Sequence, residues 1–259
     1  MDQQDLIQTL SGLPVGDVRY FSSIGSTNDE AIAWAAKDVP DLSIIIADEQ
    51  TAGRGRLDRP WFTPPATALA FSLILRPRAD EMPHLSRIVG LAALSLIDAF
   101  GKLGLAPQIK WPNDILLNGR KVAGILIELT WAGEDVDCVV IGIGVNVAKG
   151  ATPATDVLRF PAISLEHVLG EVPDRTRLLH DILISFIALR PHMHTYSFMD
   201  SWEKSLAYYG LEVRAEMGGD QVVIGKVIGL ETDGSLKILV ENGKIVTVRF
   251  GDVRLRLFA

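Results

Sequence analysis

An α+β fold, with a mixed β-sheet packed with helices and followed by a small SH3-like β-barrel, is what this chain of 259 residues predicts. Three observations carry that expectation. Apolar runs rich in strand formers occur at 43–47, 69–75 and 136–147, and read as buried strands. Apolar residues at helical spacing separate some of them, as Leu85, Ile88, Val89, Ala92 and Leu96 do within a helix expected over 82–104. From Leu211 the texture changes to five short alternating segments, broken by Gly218-Gly219, Asp233-Gly234 and Asn242-Gly243. The division falls near Tyr209-Gly210, giving a main domain of 1–210 and a C-terminal domain of 211–259.

Along the chain, Ser26-Thr27-Asn28-Asp29-Glu30 opens a helix that continues to Lys37, with Thr27 and Glu30 spaced as a capping box. The strand at 43–47 leads into a loop, and the strand at 69–75 follows it. After the helix at 82–104, Ile115-Leu116-Leu117, Asn118-Gly119 and then 122–130 read as a hairpin. An Asn-Gly pair suits the type I′ turn, which needs positive φ at both central residues. The strand at 136–147 is expected to lie antiparallel beside it. Helices return at 164–169, 175–192 and 198–209.

Composition narrows the function classes. With 48% hydrophobic and 22% charged residues the chain has ample material for a core, and its net charge of −7 argues against a sequence-independent nucleic-acid binder. The single cysteine, Cys138, has no intrachain partner, which fits a reducing compartment. The acidic N-terminus reads as neither signal nor transit peptide, and no apolar run approaches the length of a membrane span. The expectation is a cytoplasmic protein with no membrane partner. His192 and His194, two apart at a helix end, have no accompanying His or Cys cluster and carry no metal expectation.

Four segments are equipped for chemistry. Ser26-Thr27-Asn28 places hydroxyls and an amide at a helix N-terminus, suited either to a ligand head or to plain capping. Gln50 precedes, and Trp61 follows, the run Gly53-Arg54-Gly55-Arg56. Its glycines permit close approach to a ligand, and its guanidinium forks match carboxylate and phosphate oxygens. Trp61 is either a core anchor or a lid. Lys110-Trp111-Pro112-Asn113-Asp114 combines a cation, a ring and short polar groups; Asp114 is a candidate general base or Mg²⁺ ligand. Lys121 begins the strand that pairs back along the one leaving Asp114, so Lys110 and Lys121 are expected to reach one pocket. Gly124 in that strand points to a close approach.

In this order and spacing, with Arg120-Lys121-x-x-Gly124-Ile125-Leu126-x-Glu128, the segments resemble the biotin–protein ligases (biotin–[acetyl-CoA-carboxylase] ligases). The resemblance covers about 19–148 through specific motifs and, less specifically, the C-terminal barrel. It implies an ATP-dependent enzyme that uses biotin and MgATP to form biotinyl-5′-AMP and transfers biotin to a lysine of a biotin carboxyl carrier protein domain, from acetyl-CoA carboxylase or a related biotin-dependent carboxylase. It places Ser26, Thr27, Asn28 and Gln50 at biotin, and Gly53, Arg54, Gly55 and Arg56 in a loop ordering over biotin and adenylate. Lys121 would bridge carboxylate and α-phosphate, with Lys110 nearby. Trp61, Asn113 and Asn146 would lie at the nucleotide, Asn146 contacting adenine.

Two departures stand out. Leu57 and Asp58 follow Arg56 where a further arginine and glycine are common, which predicts a stiffer, less positive loop. About twenty-five residues precede Ser26, too few for the winged helix-turn-helix of the repressor members, so the monofunctional type without DNA binding is expected. A homodimer is compatible with exposed strands. Rival readings are a lipoate or octanoate ligase, a non-catalytic biotin or nucleotide sensor, and a nucleic-acid-binding module.

Overall fold

Seven strands make the main sheet of the structure, a computed structural model that describes residues 1–152, 160–218, 221–251 and 253–258. Helix α1 (Gln3–Leu10), capped by the Asp2 carboxylate, leads into β1 (Val18–Phe21). Helix α2 (Thr27–Ala35) crosses to β2 (Ser43–Ala47), and β3 (Ala68–Leu75) returns antiparallel. After α3 (Ile88–Lys102) come β4 (Gln108–Lys110), β5 (Asp114–Leu117), β6 (Arg120–Ala132) and β7 (Asp135–Asn146). Their spatial order is β1-β2-β3-β7-β6-β5-β4. β1 and β2 pair in parallel, as a helical crossover permits, and the remaining neighbours are antiparallel. The sheet is therefore mixed, as expected.

The Asn118-Gly119 hairpin is present, with φ of 50° and 71° at its two turn residues. The capping box is not. Ser26 caps α2 by accepting from the Asp29 amide at 3.4 Å, while the Thr27 hydroxyl bonds Gln50 and the Glu30 carboxylate bonds Arg19. α1 and β1 escaped the sequence reading because one lies in a charged N-terminus and the other shows no alternation, all four residues being half-buried.

Helix α4 (Leu165–Leu169) and α5 (Arg175–Leu189) lie close to expectation, but α6 (Tyr196–Lys204) stops five residues short. There the chain turns to bond β4: Ile109 N donates to Ser205 O at 2.7 Å, and Ala207 N to Ile109 O at 2.9 Å. A strand edge displaced helix continuation.

The two faces of the sheet differ. One carries Phe71, Leu73, Ile125, Ile141 and Ile143 into a large core with α3 and α5. The other buries Ile45, Ile74, Cys138 and Val140 beneath α2, in a smaller cluster with Ala31, Trp34 and Ala35. Contrary to the sequence expectation, the helical run Met82–Lys102 is long and apolar enough to pass for a membrane span, but two-thirds of it is buried in the protein core.

The last five strands are β8 (Glu212–Met217), β9 (Gln221–Leu230), β10 (Leu236–Leu239), β11 (Ile245–Val248) and β12 (Arg254–Leu257), in the order β11-β10-β9-β8-β12. β9 pairs its first half with β8 and its second half with β10, changing partner at Lys226. Of the expected turns, Asp233-Gly234 and Asn242-Gly243 are present, with φ of 85° and 79° at their glycines; Gly219 lies outside the described residues. No ladder joins β11 to β12 among the described residues, so the expected barrel is an open antiparallel sheet.

Its junction with the main sheet is apolar and close. A Cβ on Gly90 of α3 or on Gly234 would fall 2.4 or 2.5 Å from the Trp202 indole, so both glycines make room for that ring. Trp111 Nε1 donates to Gly234 O at 3.0 Å, and its ring stacks on Phe250 at 5.3 Å. Arg87 donates to the carbonyls of Thr232 and Met193, and Leu230 N to the Glu203 carboxylate. One apolar cluster runs through both sheets.

Candidate functional site

Strand register draws the floor of a cavity of about 270 Å³ on the α2 face of the main sheet. Gly144, Gly124, Asp114 and Lys110 lie abreast on β7, β6, β5 and β4. Two residues further along, Ser72, Gly142 and Leu126 form the next row, and Ile74, Val140 and Glu128 the one after. Residues two apart on a strand share a face, so these rows look out on the same side. A Cβ on Gly142 would fall 2.2 Å from Asn28 Oδ1, and one on Gly144 2.4 Å from the Trp61 indole. The glycines of β7 thus leave depth for those two side chains.

One end of the cavity is polar and largely uncharged. The Thr27 amide and hydroxyl donate to Gln50 Oε1 at 2.9 and 3.1 Å, and Gln50 Nε2 donates to Thr63 at 3.3 Å. Ser72 Oγ lies 2.8 Å from Thr27 Oγ1 and 2.6 Å from Asn28 Oδ1. Asn28 Nδ2 donates to Glu128 Oε2 at 2.6 Å. Ser26, Thr27 and Asn28 are buried, and the start of α2 adds its positive dipole end. The three residues both end the helix and line the cavity, so capping and ligand binding are not alternatives here.

The other end is cationic. Lys121 Nζ stands 2.6 Å from Asp114 Oδ1, and Lys110 Nζ 3.7 Å from Oδ2. Lys110 also lies over the Phe160 ring at 3.9 Å. Burial pushes the Lys110 ammonium below the ordinary lysine range; Asp114 opposes that shift, whereas Lys121 and Arg256 add to it. Two lysines on one carboxylate leave an excess positive charge in a shielded place, which suits an incoming anion. Arg254 and Arg256 of β12 reach the same wall.

The arginine loop arches over this floor. Its base is pinned where Trp61 N donates to Gly53 O at 2.8 Å, and Gly55 N donates to Arg59 O at 2.7 Å. Arg54 bonds Asp29 and reaches Glu128 at 3.3 Å; the Asp29 hydrogen bond is the main reason its proton is held above the usual arginine range. Arg56 donates to Asn113 Oδ1 at 3.1 Å and to the carbonyl of Gly251, tying the loop to the C-terminal sheet. Leu57 takes up left-handed angles (φ 59°, ψ 38°), a conformation costing a non-glycine residue roughly 1–2 kcal/mol. Trp61 rests on the floor with its Nε1 buried and without a hydrogen bond.

Nearly all the residues singled out from sequence meet at this cavity; Gly53 stands just behind, closing the loop base. Asn113 Nδ2 donates to Ile125 O, and Asn146 Nδ2 to the carbonyls of Ile163 and Lys121, so both amides also brace the walls. Sequence reasoning missed Ser72, Phe160, Arg254 and Arg256, and gave Gly142 and Gly144 no role. Gly at alternate positions of an apolar strand was a readable signal for a recessed floor; nothing local marked the arginines of β12. Among the described residues no three His, Cys, Asp or Glu side chains gather as a metal cluster.

The same chain matches the Biotin/lipoate A/B protein ligase family over residues 20–146 and the Biotin protein ligase C terminal domain over 209–256. It is 38% identical to the biotin–[acetyl-CoA-carboxylase] ligase of Paracoccus denitrificans, across 85% of this chain and 93% of that one. With the bifunctional ligase/repressor BirA of Bacillus subtilis it shares 34% identity over 91% of its own length and 73% of the relative's. Among solved structures, the biotin protein ligase from Aquifex aeolicus in complex with biotin and ATP superposes with a TM-score of 0.81 at 29% identity, covering 93% of this chain and 99% of that one.

Proposed function

This chain belongs to the biotin protein ligase family, and from that premise we propose that it joins biotin to a carrier-protein lysine in two steps at the cavity above. The observation that carries the reading is the opposition of Lys110 and Lys121, gathered on Asp114, to an uncharged polar recess in the same cavity.

In the first step a carboxylate oxygen of biotin attacks the α-phosphorus of ATP, the bond to pyrophosphate breaks, and biotinyl-5′-AMP forms. Two anions must approach, so preset cations lower the barrier. Lys121 bridges the carboxylate and the α-phosphate, and Lys110 adds charge from the neighbouring row. Ser26, Thr27, Asn28 and Gln50 receive the biotin head. Arg56, Asn113, Arg254 and Arg256 face the nucleotide, with the Asn146 carboxamide oxygen directed to adenine and Trp61 covering the adenylate. In the second step the acceptor lysine amine attacks the acyl carbon, AMP leaves, and the amine loses a proton.

Both oxygens of Asp114 already face ammonium groups, so we assign it to positioning the lysines and, once they engage phosphate, to taking up that proton. Mg²⁺ fits as a companion of the ATP phosphates, where it would offset their charge. The division into a catalytic domain of 1–210 and a C-terminal domain of 211–259 is supported by the two sheets. The reading includes a biotin carboxyl carrier domain as acceptor, a cytoplasmic setting, a possible homodimer and no nucleic-acid partner.

The test is exchange of labelled pyrophosphate into ATP by the purified protein with Mg²⁺, with biotin or lipoate added separately. Biotin-dependent exchange is expected. Exchange with lipoate alone would transfer the chain to lipoate chemistry, and none with either would sink the ligase reading.

A further inference from the structure

Glu128 lies outside the walls of the cavity, yet its carboxylate touches both the arginine loop above it and the start of α2 beside it. It stands two rows beyond Gly124 on the same face of β6, about 13 Å along the strand. One oxygen accepts from Asn28 Nδ2 at 2.6 Å, and the other from Arg54 Nη1 at 3.3 Å. Asn28 stands at the start of α2 and rests on the floor, where Ser72 holds its side-chain carbonyl and Gly142 gives it room. Arg54 belongs to the loop, 74 residues away from Glu128 in sequence.

The charges around Arg54 decide its role. Its guanidinium is flanked by Asp29 and Glu128, with side chains 57% and 26% exposed, so Glu128 is the better shielded partner. Surface pairs contribute little and shielded ones more. A guanidinium whose charge is already balanced by two carboxylates makes a poor phosphate clamp. The nucleotide's charge falls instead to Lys110, Lys121, Arg56 and the arginines of β12, which lie toward the opposite end of the rows.

The geometry points to Glu128 as a positioning residue: its carboxylate latches the arginine loop, through Arg54, to the Asn28 side of the ligand recess, so that loop closure and the orientation of the Asn28 amide are set together. This rests on the ligase reading for its consequence in binding, but the latch itself does not. Glu128 orients the end of the cavity assigned to the biotin head and leaves the reacting phosphate to other groups.

The experiment compares the unaltered chain with Glu128→Gln, Arg54→Gln and the double variant. Glutamine keeps an oxygen for the Asn28 amide and removes the charge that holds Arg54. In biotin-dependent pyrophosphate exchange, Glu128→Gln is expected to raise KM for biotin about tenfold, the effect of losing one hydrogen bond to a charged group, while kcat changes by less than about twofold and KM for ATP rises far less than KM for biotin, because Arg56 keeps its own ties to Asn113 and Gly251. The double variant should be no worse than Arg54→Gln alone, because the two act on one contact. Trypsin should cut after Arg54 or Arg56 faster in Glu128→Gln with no ligand present.

Unchanged KM together with an unchanged rate of loop cleavage would overturn the latch. So would parallel losses in kcat and both KM values with a lowered melting temperature, which mark a merely structural residue. Should the unaltered chain show no biotin-dependent exchange, the ligase reading fails by itself, and loop cleavage still decides the latch.

Discussion

The two cationic sides of the cavity are built by different means. Lys110 and Lys121 stand on β4 and β6, the two strands that flank β5, and are joined through the Asp114 carboxylate of β5 and partly sheltered from water. Arg54 and Arg56 stand on a loop whose backbone is pinned at its base, and their side-chain partners come from distant parts of the chain: Asp29, Glu128, Asn113 and Gly251. The lysine side is preorganised before any ligand arrives. The arginine side has its geometry only while the loop is down, so its contribution depends on closure. Charge that must meet a phosphate at the reacting centre gains most from the first arrangement, and charge that must admit a ligand and then cover it needs the second.

Breaking the rigid side should have the largest effect. Lys121→Ala is expected to slow biotin-dependent pyrophosphate exchange by about 10²–10³-fold, the usual range for removing one preset electrostatic donor; a normal rate would remove Lys121 from the reacting phosphate. Next comes the floor beneath both sides. In Gly144→Ala the new methyl meets the Trp61 indole, and overpacking of this kind costs roughly 1–3 kcal/mol. Urea denaturation should report that loss, and indole fluorescence should report a displaced Trp61.

Effects on the loop side should be smaller in rate and different in kind. Arg56→Gly removes the tie to Asn113 and Gly251 and should let biotinyl-5′-AMP escape several-fold faster, with stability altered by no more than about 0.5 kcal/mol. Trapping of released adenylate by hydroxylamine measures it, and an unchanged release rate would free the loop of any covering role.

The most subtle difference is in pH. Because burial lowers its pKa, Lys110 loses its charge at a lower pH than an ordinary lysine, whose value is 10.5. KM for ATP should therefore climb as pH rises through an alkaline range below 10.5, while the always-charged Lys110→Arg should move that limb upward. Coincident profiles would show that the Lys110 charge does not serve the nucleotide. The same shift bears on stability: the unfolded chain binds the proton more readily, so the penalty of burying a charged Lys110 is present at neutral pH and fades as pH rises through the lowered value.

The contrast also explains what the sequence made legible. Asn118-Gly119 announced its hairpin because the turn demands positive φ, and that hairpin puts Lys121 opposite the strand that starts at Asp114. Local chemistry sufficed. Gly53-Arg54-Gly55-Arg56 announced a ligand loop, but not that Arg54 would be balanced by Asp29 and Glu128, since that depends on how α2, the loop and β6 pack. Arg254 and Arg256 were illegible for the same reason: an alternating strand in a small sheet gives no hint that one of its faces looks into a cavity on another. The helix end at Lys204 was misjudged because a vacant edge at β4 competed for the backbone groups of Ser205 and Ala207. Propensity sees neighbours in sequence only.

Trp111 has a consequence for how the molecule comes apart and together. Its ring lies against Phe250 and its Nε1 holds Gly234, while its backbone sits in the turn between Lys110 and Asp114. Melting the C-terminal sheet would therefore expose a large indole and release the turn that presents the lysines, so the two sheets should denature in one cooperative transition, seen as a single calorimetric peak. During synthesis the order is reversed. The residues that clasp Trp111 are made 123 or more residues after it, and the cationic turn acquires its fixed shape only once they have emerged.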